Sequence, residues 1–177
     1  MKHVILVACI IGLILACNTD TEKTTDATTT PATSTPTDLP YKASYTSSWD
    51  NNVSDADLKV VLMSYKHWAD GNIDGLMNTM GDSAWVDHSD GVSKNYSNAD
   101  LRAFWSKSRD SLSSVTIDMQ AWERMRSTDK NDSFVVTWYK QIDVYKDGRV
   151  DSAQYHDINQ VKGGKIVWYS QYRRALK

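Results

Sequence analysis

Cysteine is nearly missing from this chain: 177 residues hold two, Cys9 and Cys17. That excludes a disulfide scaffold and a thiol-built zinc site. Proline occurs three times, at Pro31, Pro36 and Pro40, and never after that. Positive charge is not in excess, with 20 Lys and Arg against 22 Asp and Glu. No basic stripe is present, so nucleic acid is not an expected partner. Phenylalanine is scarce, two residues against seven tryptophans and nine tyrosines. The aromatic surface therefore carries polar handles almost everywhere. Long apolar runs are absent except from Val4 to Ala16, which is too short to span a bilayer.

That run follows Lys2 and has the length of a signal-peptide core. It ends in Ile14-Leu15-Ala16-Cys17, which resembles the lipobox of bacterial lipoproteins. The resemblance implies cleavage of residues 1–16 and lipidation of Cys17, with the membrane as a partner through that anchor. Cys9 leaves with the signal, so Cys17 stands alone in the mature chain. The alternative is an ordinary secretory signal in which Cys17 is incidental. Asn18, in place of the aspartate that retains enteric lipoproteins at the inner membrane, points to the outer membrane of a bacterial envelope. Residues 17–52 read as a tether. From Asn18 to Pro40 there are ten threonines and all three prolines, with Leu39 the sole large apolar residue. Such a stretch buries too little to offset its ordering entropy. Tyr41, Tyr45 and Trp49 are the tether's candidates for packing back on the body.

Residues 53–177 suit one domain. Ser54-Asp55-Ala56-Asp57 is a capping box, followed by Leu58, Val61, Leu62, Tyr65 and Trp68 at helical spacing and closed by Gly71. Ile73, Leu76, Met77 and Met80 mark a second, short helix. Ala84–His88 reads as a strand. Ser97-Asn98-Ala99-Asp100 repeats the capping box before Leu101, Phe104, Trp105 and Leu112. Beyond Ser113 the period becomes two, with Val115, Ile117, Met119 and Ala121 alternating with polar neighbours. Strands follow over Phe134–Tyr145, Val150–Lys162 and Lys165–Arg173, joined by turns at Asp147-Gly148 and Gly163-Gly164. Three helices before an antiparallel meander predict an α+β domain, helices packed on one sheet face.

Trp68-Ala69-Asp70-Gly71-Asn72-Ile73, Asp82–His88, His156-Asp157 and Gly164-Lys165-Ile166-Val167 together resemble the SnoaL-like branch of the nuclear transport factor 2 superfamily. The resemblance implies a strongly curved, mostly antiparallel sheet wrapped round the helices, a cystatin-like cone with a pocket at its open end. Ketosteroid isomerase shares that fold. Counted onto this chain, its general base falls on His88 and its oxyanion-hole acid on His156. Its oxyanion-hole tyrosine falls on Ser64, with Tyr65 one place away.

These counts make His88 and His156 the candidate catalytic pair, a base and an electrophilic partner. If both face inward, Val86, Ile158 and Gln160 share their faces while Trp85, Asp87, Tyr155 and Asp157 do not. The expected pocket is Tyr65, Trp68, Val86, His88, Trp105, Trp138, His156 and Tyr172. Asp87-His88 and His156-Asp157 each offer one ligand to a given side, too few for a metal site, and no cofactor is expected. Three functions stay open: a binder of a small, partly apolar molecule at the cell envelope, a SnoaL-type isomerase or hydratase, and a sheet-paired module such as a homodimer.

Overall fold

The computed structural model describes residues 38–176. The signal segment, Cys17 and most of the tether lie outside the described residues. The compact unit considered below begins at Tyr41. Its elements run β1 (Trp49–Asp50), α1 (Asp55–Asp70), α2 (Ile73–Thr79), β2 (Met80–Asp87), β3 (Ser93–Ser97) and α3 (Asn98–Asp110), then β4 (Leu112–Ser127), β5 (Ser133–Tyr145), β6 (Val150–Lys162) and β7 (Lys165–Ala175). Three helices pack on a seven-stranded curved, open sheet of order β1-β4-β5-β6-β7-β2-β3. Only β2 and β7 pair in parallel. Among the described residues no helix is long and apolar enough to cross a membrane.

Local chemistry fixes the helix ends. Ser54 and Ser97 accept from the amides of Asp57 and Asp100, so both capping boxes form. Gly71 closes α1 at φ 71°, a left-handed conformation that favours glycine. The Arg109 guanidinium, reaching from α3, donates to the carbonyls of Trp68 and Ala69 at 3.2 and 3.3 Å. It satisfies orphan acceptors at the negative end of α1 and ties α1 to α3. Asn72 caps α2 by accepting from Gly75 N at 2.8 Å.

The core lies between helices and sheet, around Val61, Met77, Val86, Leu101, Val135 and Ile166. Three strand features differ from the alternation expected of the sequence. β2 begins at Met80, directly off α2, and β3 pairs with it as a fifth element before α3. In β4 the register shifts between Met119 and Ala121. This bulge turns Trp122, opposite Thr137, to the helix side and puts Ala121 outside, opposite Trp138. The tether's end also joins the unit: β1 pairs with Ser127 and Arg126, and Tyr45 and Trp49 pack edge-on to Phe134.

Leu101 is fully buried. Leu101→Ala is expected to cost about 2–5 kcal/mol of stability through the cavity it leaves, read from the denaturant midpoint.

Candidate functional site

The inner face of the sheet is built mainly by β5, β6 and β7. Along β5, Val135, Thr137, Tyr139, Gln141 and Asp143 share one parity; their inward partners on β6 are Asn159, Asp157, Tyr155, Ala153 and Asp151. A cavity of about 250 Å³ opens between this face and the helices. Its walls include Tyr65 and Trp68 of α1, Phe104 and Trp105 of α3, and His88 just beyond β2. The sheet adds Tyr139, Tyr155 and Tyr169, with Gln141, Asp143, Asn159 and Gln171 as polar groups.

At the floor, three phenols converge on one carboxylate oxygen. Oδ2 of the fully buried Asp157 accepts from Tyr139 Oη at 2.7 Å and from Tyr65 and Tyr169 Oη at 3.1 Å each. Tyr65 Oη also lies 2.8 Å from Thr137 Oγ1 and accepts from Asn159 Nδ2 at 3.1 Å. Tyr65 therefore spends its single proton on Asp157 while Thr137 donates to it. Asp157 Oδ1 is buried with no protein partner. With three donors crowding Oδ2, Oδ1 is where the neutral acid carries its proton. Burial pushes the Asp157 carboxyl up to about 7, against the pull of the three hydroxyls. Burial also drives the phenols of Tyr65, Tyr139 and Tyr169 well above the usual tyrosine range, and the neighbouring acid adds to it. They remain neutral donors.

His88 is half-buried on the opposite part of the lining, where its Nε2 lies 3.0 Å from Tyr96 Oη and its ring meets Phe104 edge-on. At the sheet side of the mouth, Gln141 Nε2 donates to both oxygens of Asp143 at 2.9 and 3.0 Å. Burial raises the Asp143 carboxyl, partly offset by that amide.

The cavity brings together four of the residues named from the sequence: Tyr65, Trp68, His88 and Trp105. Val86 faces inward as well but is sealed in the core beneath the cavity rather than lining it. His156, Trp138 and Tyr172 require correction, because β6 has the opposite parity to that expected. They are register partners across β5, β6 and β7 on the outer face. There the Trp138 and His156 rings stack at 4.9 Å, and Tyr172 sits 5.8 Å from His156. They line a separate, shallow depression of about 320 Å³ with Gln120, Gln154 and Arg174. His88 and His156 thus do not share a cavity, and the two-histidine mechanism loses its geometry. Sequence reasoning placed Tyr155 and Asp157 outside, and of the aromatics spread over the last strands it chose Trp138 and Tyr172 for the pocket rather than Tyr139 and Tyr169. On β6 both faces alternate polar with apolar, so the pattern alone does not choose between them. The signal that does is β5, where fully buried Val135 and Thr137 fix which parity faces the helices. Among the described residues no group of three or more His, Cys, Asp or Glu is placed to hold a metal ion.

No protein-family model and no curated protein sequence matches this chain. Solved structures match at the level of fold. A nuclear transport factor 2-like protein of unknown function from Burkholderia pseudomallei has a TM-score of 0.56 at 12% identity, covering 68% of this chain and 92% of that one. A protein with a ketosteroid isomerase-like fold from Catenulispora acidiphila, solved in complex with trimethylamine, scores 0.53 at 13% identity, covering 64% and 84%. TerC, crystallised with polyporic acid, scores 0.54 at 13% identity, covering 68% and 92%. The likeness is one of fold.

The Asp157 carboxyl yields a test. Its folded-state pKa is raised, so the folded protein holds a proton that the unfolded chain releases near pH 4. Its contribution is fully present below pH 4 and is lost as pH rises through about 7. Asp157→Asn should therefore gain on the wild type by about 1 kcal/mol per pH unit between pH 5 and 7, then level off. Urea denaturation across that range reads the difference; a constant offset contradicts it.

Proposed function

We propose, on the premise of the nuclear transport factor 2-like fold, that this chain is a lipid-anchored envelope protein whose cone takes up a small, partly apolar molecule. The observation that carries the binding half is the cavity itself. It is an aromatic chamber with a few polar groups and an organised floor, the usual character of a small-molecule site. The anchor half rests on residues alone: the short apolar run, Ala16-Cys17 and the threonine- and proline-rich tether. Native mass spectrometry of protein purified from its host is the direct test of binding. A co-purifying small molecule is expected, and Trp105→Ala should reduce its occupancy severalfold. An empty wild-type protein that also binds no small apolar probe contradicts the reading. For the anchor, Cys17→Ser should move the full chain from the membrane to the soluble fraction. Continued membrane association refutes lipidation at that residue.

A second reading, catalysis by proton transfer, is favoured by one observation. Two of the three counts from ketosteroid isomerase fall one place from a residue of the floor: Tyr65 stands beside Ser64, and Asp157 beside His156. The structure brings Tyr65 and Asp157 within 3.1 Å of each other at the floor, with His88, counted as the base, on the same cavity. In this state the tyrosine protons are aimed at Asp157 rather than at the cavity. An oxyanion would have to draw a phenol proton away from that carboxylate. His88→Ala tests the reading on any substrate that is turned over. Catalysis predicts a loss of about a hundredfold or more in kcat with ligand affinity kept, and unchanged turnover removes His88 as the base.

A further inference from the structure

The cavity has a charge character as well as a shape. Its walls include the aromatic side chains of Tyr65, Trp68, Phe104, Trp105, Tyr155 and Tyr169, and no lysine or arginine lines it. The ionisable acid on the lining, Asp143, is half-buried, receives only the Gln141 amide, and makes no ion pair among the described residues. Two guanidiniums act on it from a distance, but neither donates to it. Arg109 donates to the carbonyls of Trp68, Ala69 and Leu112, and Arg173 to Asp151 and the Tyr155 hydroxyl. Beneath the floor, Asp157 accepts three phenols, which pushes electron density into those rings.

Resting on the binding reading above, the geometry points to a small organic cation, a tertiary or quaternary alkylammonium, as the ligand class of this cavity. The attraction would come from the ring faces that the ligand meets and from one carboxylate that makes no direct ion pair. An alkylammonium is weakly hydrated, so its desolvation costs little while Asp143 gains the partner it lacks. An anion would meet Asp143, with Asp157 behind it, and no lysine or arginine on the wall to receive it. A neutral apolar ligand would strip water from Asp143 and give nothing back.

The test uses the full chain in mild detergent and three probes of one shape and different charge: choline, its neutral carbon isostere dimethylbutanol, and dimethylbutanoate. Calorimetry or tryptophan fluorescence reads each Kd. Choline is expected to bind about tenfold more tightly than the alcohol, and the carboxylate more weakly than either. Asp143→Asn should remove most of choline's advantage, while the alcohol should bind the variant at least as tightly as the wild type, which also shows the variant is folded. Alcohol or carboxylate binding as tightly as choline overturns the cation and leaves the binding reading standing. So does choline binding that ignores Asp143→Asn, as far as the carboxylate is concerned. If none of the three binds, the cation inference fails; if indole fails as well, the binding reading falls with it.

Discussion

One buried carboxylate organises the interior of this domain. Asp157 sits in the middle of β6, yet its Oδ2 gathers hydroxyls from α1, β5 and β7. A charge buried there without donors would be prohibitive; three phenols and the crowding of their rings make it tolerable. The geometry is demanding in return. Tyr65 must come from the buried side of α1, which sets that helix's rotation, and Tyr139 stacks on Tyr155 at 5.1 Å, nearly parallel. The cluster thereby fixes how helix and sheet meet. The cavity is the space left in front of it.

The two faces of the sheet divide the aromatic residues by chemistry. Tyrosines dominate the inside, where their hydroxyls reach a carboxylate, an amide or each other. Trp85, Trp138 and Trp168 sit outside, and the indoles of Trp85 and Trp168 donate to Asp87 at 3.1 and 2.8 Å. Tyr65, Tyr139, Tyr169, Trp85 and Trp168 all donate through a polar atom that phenylalanine lacks.

Much of the architecture was legible because it depends on local rules. Capping boxes at Ser54 and Ser97, the glycine stop at Gly71 and the two glycine turns place three helices and the last three strands to within about two residues. The α+β class and the antiparallel meander followed from that order, and the curvature of the sheet from the family resemblance. β3 was not legible, since Ser93–Ser97 is polar and exposed and is held by pairing with β2. Nor was the bulge in β4, a register event with no glycine to announce it. The site was half legible. Helical residues, Tyr65, Trp68 and Trp105, were found because an apolar helix stripe has one inward direction. The β6 residues were inverted because Gln154, His156 and Gln160 look no more external than Tyr155, Asp157 and Asn159. A one-residue parity error then exchanged a buried acid for a surface histidine.

The central claim is that Asp157, not His156, forms the heart of the cone. Carbon-13 NMR of the side-chain carboxyls measures it most directly. The account predicts one aspartate resonance titrating at about pH 7 and absent from Asp157→Asn. If the resonance that disappears in that variant titrates instead near 4, with the ordinary surface aspartates, Asp157 is solvated and the organised floor does not exist.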